Sequence, residues 1–108
     1  MKVTVLIPAF NEEKNIEYTI KGVKDFHDTF CQKNRLDLDI VVIDDGSQDQ
    51  TSQKALNAGV KVLQLKRNKG KGNALREGLK KTDSNIIVFL DADLQESSAE
   101  AYKLISPI

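Results

Sequence analysis

The nine residues VFLDADLQE, at positions 88–96, begin as an apolar run and end in two carboxylates, Asp91 and Asp93, separated by one alanine. A charge is costly inside a buried strand, so these acids must lie where the strand ends. Residues 40–47, IVVIDDGS, repeat the pattern with four β-branched residues followed by Asp44 and Asp45. Continuous apolar runs are typical of strands buried on both faces, so both stretches predict inner strands with a polar edge.

The rest of the chain alternates similar runs with segments in which apolar residues recur every three or four positions, as in amphipathic helices. This alternation predicts an α/β fold with a mostly parallel sheet and right-handed βαβ crossovers. The predicted strands are residues 3–7, 40–43, 60–65 and 86–90, and the predicted helices are residues 11–30, 51–58, 73–81 and 97–105. Asn11 and Gly59 are predicted helix caps, and the expected apolar helix positions are Ile16, Ile20, Val23, His27, Phe30, Leu75 and Leu79.

The composition sets limits on the class of protein. The chain has 108 residues, which is one domain, and its 16 basic and 16 acidic side chains cancel. A neutral chain has no overall field to attract nucleic acid or an anionic membrane. Cys31 and His27 are the only residues of their types, which excludes an intrachain disulfide and a site with several histidines. No apolar run approaches the roughly 20 residues of a spanning helix. We expect a cytoplasmic protein.

Four unusual polar segments each follow a predicted strand. In a parallel sheet the carboxyl ends of the strands lie at one edge, and ligands bind there, where the strand order reverses. We therefore expect the four segments to meet in one cleft. They are PAFNEE (residues 8–13), DDGSQD (residues 44–49), KRNKGKG (residues 66–72, called the basic loop below) and DADLQ (residues 91–95).

The DADLQ segment is a candidate metal site. Residues two apart in an extended segment point the same way, so Asp91 and Asp93 can face one point. Adjacent carboxylates repel unless they share a cation or a proton. Oxygen ligands suit Mg²⁺ or Mn²⁺, and the Gln95 carbonyl can add a third oxygen. The alternative is that one of the two acids caps the next helix.

The first two segments offer groups for a nucleoside. Asp45 can accept hydrogen bonds from a nucleobase imide or a ribose hydroxyl, whereas Asp44 is better placed to brace its turn. Phe10 offers a ring face for a base, and Glu12 is a further candidate for the cleft. The alternatives are an ordinary Asp-Gly turn, a core phenylalanine and an acid that favours a helix N-terminus.

The basic loop is a candidate anion site. It carries four cationic side chains, and Gly70 and Gly72 allow backbone N–H groups to approach an anion closely. Asn73 is predicted to begin a helix whose positive end favours phosphate, with Arg76 one turn further on. The alternative is a solvated basic loop. A dinucleotide-binding fingerprint is excluded, because Leu75 stands where its third glycine belongs.

These segments together resemble the family 2 glycosyltransferases, which have the A-type nucleotide-sugar-binding fold, a Rossmann-like donor-binding half joined to an acceptor half. The resemblance covers nearly the whole chain in the family's order, and DADLQ looks most like the dolichyl-phosphate mannose synthase branch. The matching stretches are VLIPAFNEE (residues 5–13), IVVIDDGSQDQT (residues 40–51), RNKGKGNALREG (residues 67–78) and VFLDADLQ (residues 88–95).

The resemblance implies an inverting, metal-dependent transfer of a hexose from a UDP- or GDP-sugar to a lipid phosphate or a cell-surface glycan. The metal is Mn²⁺ or Mg²⁺. The implied nucleotide-sugar residues are Pro8, Ala9, Phe10, Glu12, Asp45, Lys71, Gly72, Asp91 and Ala92, and the implied metal ligands are Asp91, Asp93 and Gln95.

Two features depart from the family pattern. That branch continues from the glutamine into His and Pro, whereas this chain has ESSA at residues 96–99, so a polyprenyl phosphate and a cell-wall or capsule sugar both stay open as acceptors. The family also continues well beyond the DADLQ segment. We therefore expect residues 1–108 to be a donor-binding part without the acceptor half, inactive by itself. The general base of the transfer is expected beyond Ile108. An uncovered apolar edge at residues 86–90 would favour homo-oligomers.

Other α/β classes fit the positions of the segments poorly. A response-regulator receiver needs acids after the first strand and a phosphoacceptor Asp after the third, where this chain has the basic loop. A DxD phosphatase places its nucleophile after the first strand, and a nucleotidyltransferase places its glycine-rich loop there. A non-catalytic nucleotide-sugar-binding module remains the alternative.

Overall fold

The structure is a computed structural model that describes residues 2–26, 37–92 and 106–107. Strands and helices alternate along it, which confirms the predicted α/β fold. The elements in chain order are β1 (Lys2–Ala9), α1 (Ile16–Phe26), β2 (Asp37–Asp44), α2 (Thr51–Asn57), β3 (Lys61–Gln64), α3 (Lys71–Leu79), β4 (Ile86–Phe89) and β5 (Ser106–Pro107).

Some of the predictions fall on residues outside this description. They are the apolar helix positions His27 and Phe30, the single Cys31, the metal ligands Asp93 and Gln95, the helix at residues 97–105 and the catalytic base expected beyond Ile108. Ile108 itself also lies outside the described residues. The expectation for the base therefore stays a prediction.

The sheet has the order β3-β2-β1-β4-β5, and the four strands β1 to β4 are parallel to one another. The chain builds outward from β1 through β2 to β3 and then crosses to the other side of β1 to form β4. The strand order therefore reverses between β1 and β4. The carboxyl ends at this point are where a ligand site is expected in a sheet of this kind.

Pro8 of β1 ends the pairing between β1 and β4 at this point. The Leu6 carbonyl accepts a hydrogen bond from the Leu90 N–H at 3.1 Å, so this side of β1 faces β4. Pro8 is the next residue along that side, and it has no N–H to donate. Pairing with β4 covers residues 3–6 of β1 and ends before Pro8. The proline thus stands where a paired strand would need a donor, and it marks the end of the ladder.

One face of the sheet packs against α1 and α2. Ile16, Ile20 and Val23 of α1 are buried, as the spacing predicts, and Ala55 of α2 joins them. Apolar burial of this kind contributes roughly 25 cal/mol per Å². It holds both helices against the strands from which the first two loops emerge.

The opposite face packs against α3, with a different set of residues from the one predicted. Leu79 is exposed and Leu75 only half-buried, whereas Ala74 and Gly78 are buried. A Cβ added to Gly78 would lie 2.9 Å from the Ile43 Cδ1 atom. Leu75 packs against the edge of the apolar core on this face, whereas the expected apolar position Leu79 faces solvent. The residues in closest contact with the sheet are small, because α3 lies close to it.

The edge beyond β4 also differs from the prediction. The short β5 is antiparallel to β4 and pairs Ile86 with Pro107 and Ile87 with Ser106. The expectation of an uncovered edge over residues 86–90 is therefore wrong at Ile86 and Ile87. Helices of the described segments are all too short or too polar to cross a bilayer.

Candidate functional site

The four polar segments meet in one cavity of about 390 Å³ at the carboxyl ends of β1, β2 and β4. This volume lies in the usual range for small-molecule sites. Ten residues line the cavity, namely Pro8, Ala9, Phe10, Glu12, Asp45, Asn68, Gly70, Lys71, Asp91 and Ala92. Of the residues implied by the resemblance, Gly72 does not line it. Arg76 is exposed on α3 and also lies outside the lining.

The first loop is joined to the second by hydrogen bonds. The Asn11 N–H donates to the Ser47 hydroxyl at 2.8 Å, and the Asn11 side-chain oxygen accepts from the Gln48 N–H at 2.9 Å. Asn11 has φ 54, and α1 begins only at Ile16. The prediction that Asn11 caps this helix is therefore wrong, because the side chain satisfies a neighbouring loop that local periodicity does not reveal.

The second connection between these loops lies one residue further on. The Glu12 N–H donates to the Thr51 hydroxyl at 2.9 Å, and the Glu13 carboxylate accepts from the Gln50 N–H at 3.2 Å. The Glu12 carboxylate accepts from the Asn15 side-chain amide at 3.2 Å. Glu12 is thus held at the cavity wall.

Asp49 ties the start of α2 to the first loop. Its carboxylate accepts from the Thr51 hydroxyl, from the Thr51 N–H at 3.0 Å and from the Glu13 N–H at 3.3 Å. Burial acts to raise the pKa of this carboxyl, but the hydrogen bonds outweigh it and hold the pKa below its ordinary value of 3.8. A lowered folded pKa means that the ionised form stabilises the fold.

Asp49→Asn should lower the free energy of unfolding by about 1 kcal/mol near neutral pH. The stabilisation is present above about pH 3.8 and disappears as the pH falls through the lowered folded pKa. Urea denaturation at several pH values measures it. The exposed Asp37→Asn is the control, and a difference from wild type that persists unchanged in acid would contradict the assignment.

The two acids after β2 have different partners. Asp44 is buried, and its carboxylate accepts from the Ser47 N–H at 2.8 Å and from the Ser52 hydroxyl. Asp44 therefore braces its own turn. Asp45 is also buried, yet it lines the cavity, and its carboxylate accepts from the N–H groups of Lys69 at 3.1 Å and Gly70 at 2.9 Å.

The basic loop accordingly lies against the end of β2. Gly46 has φ 77, and a Cβ added there would lie 2.7 Å from the Asn68 nitrogen and 2.8 Å from the Arg67 carbonyl carbon. The Gly70 N–H donates to the Asp45 carboxylate. The expectation that backbone N–H groups of this loop approach a ligand anion stays a prediction. The helix begins at Lys71, two residues before the predicted start, so its first N–H groups come from Lys71 and Gly72.

Two opposite charges face each other at the cavity. The Lys71 ammonium, in the first turn of α3, forms an ion pair with the Asp91 carboxylate that follows β4. Both side chains are about half exposed, at 59% and 51%. Exposed ion pairs add little stability, so separating this pair requires little free energy. Each member can therefore turn to a ligand of the opposite charge.

The start of the DADLQ segment is anchored beneath the cavity. Ala92 is buried, and its carbonyl accepts from the Thr19 hydroxyl of α1 at 2.7 Å. This bond sets where Asp91 leaves the sheet. Asp93 and Gln95, the other predicted metal ligands, lie outside the described residues. Within residues 2–26, 37–92 and 106–107, no group of three His, Cys, Asp or Glu side chains is arranged to hold a metal ion.

Phe10 and Asn68 complete the cavity wall. Phe10 is 43% exposed, so its ring is not a core residue. Sequence reasoning missed Asn68, because the cations and glycines around it were the conspicuous feature of the basic loop. The signal that could have found it is its place between those cations, in a loop already expected to face the cleft.

The sequence of this chain is similar to those of known glycosyltransferases. The sequence profile of glycosyl transferase family 2 matches residues 4–108. A dolichol-phosphate mannosyltransferase from Pyrococcus furiosus is 37% identical over 112 residues, which cover 100% of this chain and 30% of that protein. An undecaprenyl-phosphate 4-deoxy-4-formamido-L-arabinose transferase from Proteus mirabilis is 30% identical over 115 residues, 97% of this chain and 33% of that protein.

A solved structure shows the same fold. Glucosyl-3-phosphoglycerate synthase from Mycobacterium tuberculosis, in complex with Mn²⁺, UDP and glucosyl-3-phosphoglycerate, matches with a TM-score of 0.72 and 32% identity over 88% of this chain and 34% of that chain. The same enzyme has been solved with Mg²⁺ and UDP. The chain thus spans well under half the length of these relatives. Its profile match, its relatives and its A-type fold agree: the chain belongs to glycosyl transferase family 2.

Proposed function

We propose that this chain binds a UDP- or GDP-hexose and forms the donor-binding part of an inverting, divalent-metal-dependent hexosyltransferase. The observation that carries the proposal is the single cavity in which an exposed ring, a buried carboxylate and an ion pair come together at the strand-order reversal. A nucleoside diphosphate needs each of these: a surface for the base, an acceptor for its donors and a cation for its phosphates.

The nucleoside is proposed to lie along β1 and β2. Phe10 offers a ring face to the base, with Pro8 and Ala9 beside it. The Asp45 carboxylate has about four acceptor positions and uses two for backbone N–H groups, so it can still accept from the base or the ribose. Glu12 is held at the same wall.

The diphosphate is proposed to lie between α3 and the end of β4. The Lys71 ammonium and the first N–H groups of α3 favour negative charge there. In a sugar transfer the diphosphate is the leaving group, and positioned positive charge stabilises the charge that develops on it. Gly72 contributes through the helix end rather than as a lining residue.

The described residues fit a divalent metal in part. Asp91 is an exposed carboxylate at the cavity that already takes a cation, Lys71, and Mg²⁺ and Mn²⁺ prefer oxygen ligands of this kind. Asp91, Asp93 and Gln95 are the proposed ligands. A bound metal would supply Lewis-acid stabilisation of the leaving diphosphate.

The catalytic base is proposed to lie beyond Ile108. Among the cavity carboxylates of the described part, Glu12 is bonded to Asn15, Asp45 is bonded to the basic loop, and Asp91 is a proposed metal ligand. A base must be free to take a proton from the acceptor hydroxyl. These 108 residues are therefore proposed to bind the donor without transferring its sugar. The same observation favours the second candidate, a non-catalytic nucleotide-sugar-binding module.

The acceptor is proposed to be a polyprenyl phosphate or a cell-surface glycan, as in cell-wall or polysaccharide synthesis, at the cytoplasmic face of the membrane. Two relatives support the first choice, because their names contain dolichol phosphate and undecaprenyl phosphate.

Thermal denaturation with UDP- and GDP-sugars, with and without Mn²⁺, tests the proposal. A ligand that binds only the native state at about 100 times its Kd stabilises it by roughly 2.7 kcal/mol. We expect one nucleotide series to raise the Tm only when Mn²⁺ is present. Asp93→Asn should remove the Mn²⁺-dependent part, whereas Asp37→Asn should not. The absence of any nucleotide shift in the wild-type chain would refute the proposal.

A further inference from the structure

Asp45 makes contacts that a nucleoside-binding role does not require. Both of its carboxylate oxygens accept N–H groups from residues 24 and 25 positions later in the chain, Lys69 and Gly70. Asp44 beside it closes the local turn through Ser47 and Ser52. The carboxylate of Asp45 is therefore directed at a different loop, although its side chain begins in an Asp-Gly turn sequence.

Gly46 extends this contact to the preceding residues of the basic loop. The space above its Cα is filled by backbone atoms of Arg67 and Asn68. Two consecutive residues after β2 thus hold four consecutive residues of the loop, 67–70. The end of α3 next to this loop has no side-chain cap, since Gly70 occupies the cap position. The two N–H groups just before the helix, those of Lys69 and Gly70, donate to Asp45.

The anchored loop also lines the cavity, with Asn68, Gly70 and the following Lys71. We propose that Asp45 is a positioning residue for the diphosphate: its carboxylate fixes the backbone of the basic loop, and thereby the start of α3 and Lys71, in the arrangement that receives the phosphates. The proposal rests on the proposed function for the identity of the ligand. It adds to Asp45 a role beyond contact with the nucleoside.

Inorganic pyrophosphate is the probe that separates this role from a nucleoside contact. A residue that touches only the base or the ribose leaves pyrophosphate affinity unchanged when it is removed. Removal of a nearby negative charge by itself should tighten the binding of an anion. A positioning role predicts weaker pyrophosphate binding in the same variant, because the loop that receives the anion loses two charge-assisted hydrogen bonds.

The experiment compares Asp45→Ala, Asp45→Asn and the control Asp39→Asn by calorimetric titration with pyrophosphate and with uridine or guanosine, in the presence of Mn²⁺. Asp39 lies near the other end of β2, where it pairs with Lys2 and Lys61, so its replacement removes the same charge away from the cavity. We expect pyrophosphate affinity to fall about tenfold in Asp45→Ala. Asp45→Asn, which keeps one acceptor, should be intermediate, and Asp39→Asn should stay near wild type. Unchanged or tighter pyrophosphate binding in Asp45→Ala would overturn the proposal.

Amide hydrogen exchange provides a second measurement that needs no ligand. The N–H groups of Lys69 and Gly70 should exchange at least about tenfold faster in Asp45→Ala than in wild type, while the sheet amides of β1 stay protected. If Asp45→Ala does not fold, Asp45→Asn should show the faster exchange at one of the two amides. Unchanged exchange at both would overturn the proposal. A wild-type chain that binds no nucleotide refutes the proposed function, and the exchange rates then decide the role of Asp45 separately.

Discussion

Replacing Gly46 by alanine should lower the free energy of unfolding by about 2–4 kcal/mol. Two effects add at this position. The backbone has φ 77, which an L side chain adopts only with strain, and the new Cβ would lie 2.7 Å from the Asn68 nitrogen, a backbone atom that cannot rotate away. The loop must therefore move, and nucleotide affinity should fall together with stability.

Gly59→Ala is the matched control for this change. Gly59 follows α2 with φ 84, as its predicted role as a left-handed cap requires, and the nearest atom to an added Cβ is the Lys24 ammonium nitrogen at 3.5 Å. The Gly59→Ala change should lower the free energy of unfolding by the backbone strain alone, about 1 kcal/mol. It should leave nucleotide affinity unchanged. Urea denaturation of both variants measures the difference. Equal losses would show that contact with the basic loop contributes nothing.

Lys71→Glu should weaken the binding of UDP or GDP about 100-fold, while the chain stays folded. The change removes a cation from the proposed phosphate site and puts a carboxylate beside Asp91, whose present partner is this lysine. A glutamate in the first turn of a helix is itself favourable, so α3 should persist. The measurement is calorimetric titration with the nucleotide and Mn²⁺, accompanied by circular dichroism.

Lys66→Glu is the control with the same change of charge in the same loop. Lys66 is exposed and does not line the cavity. Its replacement should reduce affinity only by the small effect of a distant, screened charge, about twofold to threefold. If both variants lose affinity equally, the basic loop acts through its net charge, and Lys71 has no special position.

Most of the fold could be predicted because its signals are local. Runs such as residues 40–43 are apolar at every position, and this is the requirement for a strand covered on both faces. The apolar spacing of Ile16, Ile20 and Val23 likewise identified the buried face of α1. Leu79 of α3 shows the limit of such signals, because it is apolar and yet exposed. The helix lies so close to the sheet that a Cβ at Gly78 would contact Ile43, and this distance is not visible in the sequence.

The candidate site, like the fold, could be predicted only in part. Eight of the nine nucleotide-sugar residues implied by the resemblance line the cavity, the exception being Gly72. The residue types and their places after strands are readable in the chain, because the carboxyl ends of parallel strands share an edge. The partners of those residues are not readable, because hydrogen bonds such as Asn11 to Gln48 join groups that are distant in sequence.

The order of residues was enough to identify a parallel α/β domain of a glycosyltransferase family, with four polar loops at one edge and an acid after each of two inner strands. Burial and periodicity are properties of neighbouring residues, so they can be read without coordinates. Folding, by contrast, determines which acid braces a turn and which holds the basic loop. Asp44 and Asp45 are identical in chemistry and adjacent in sequence, and they differ in the donors that the folded chain brings within hydrogen-bond distance of each carboxylate.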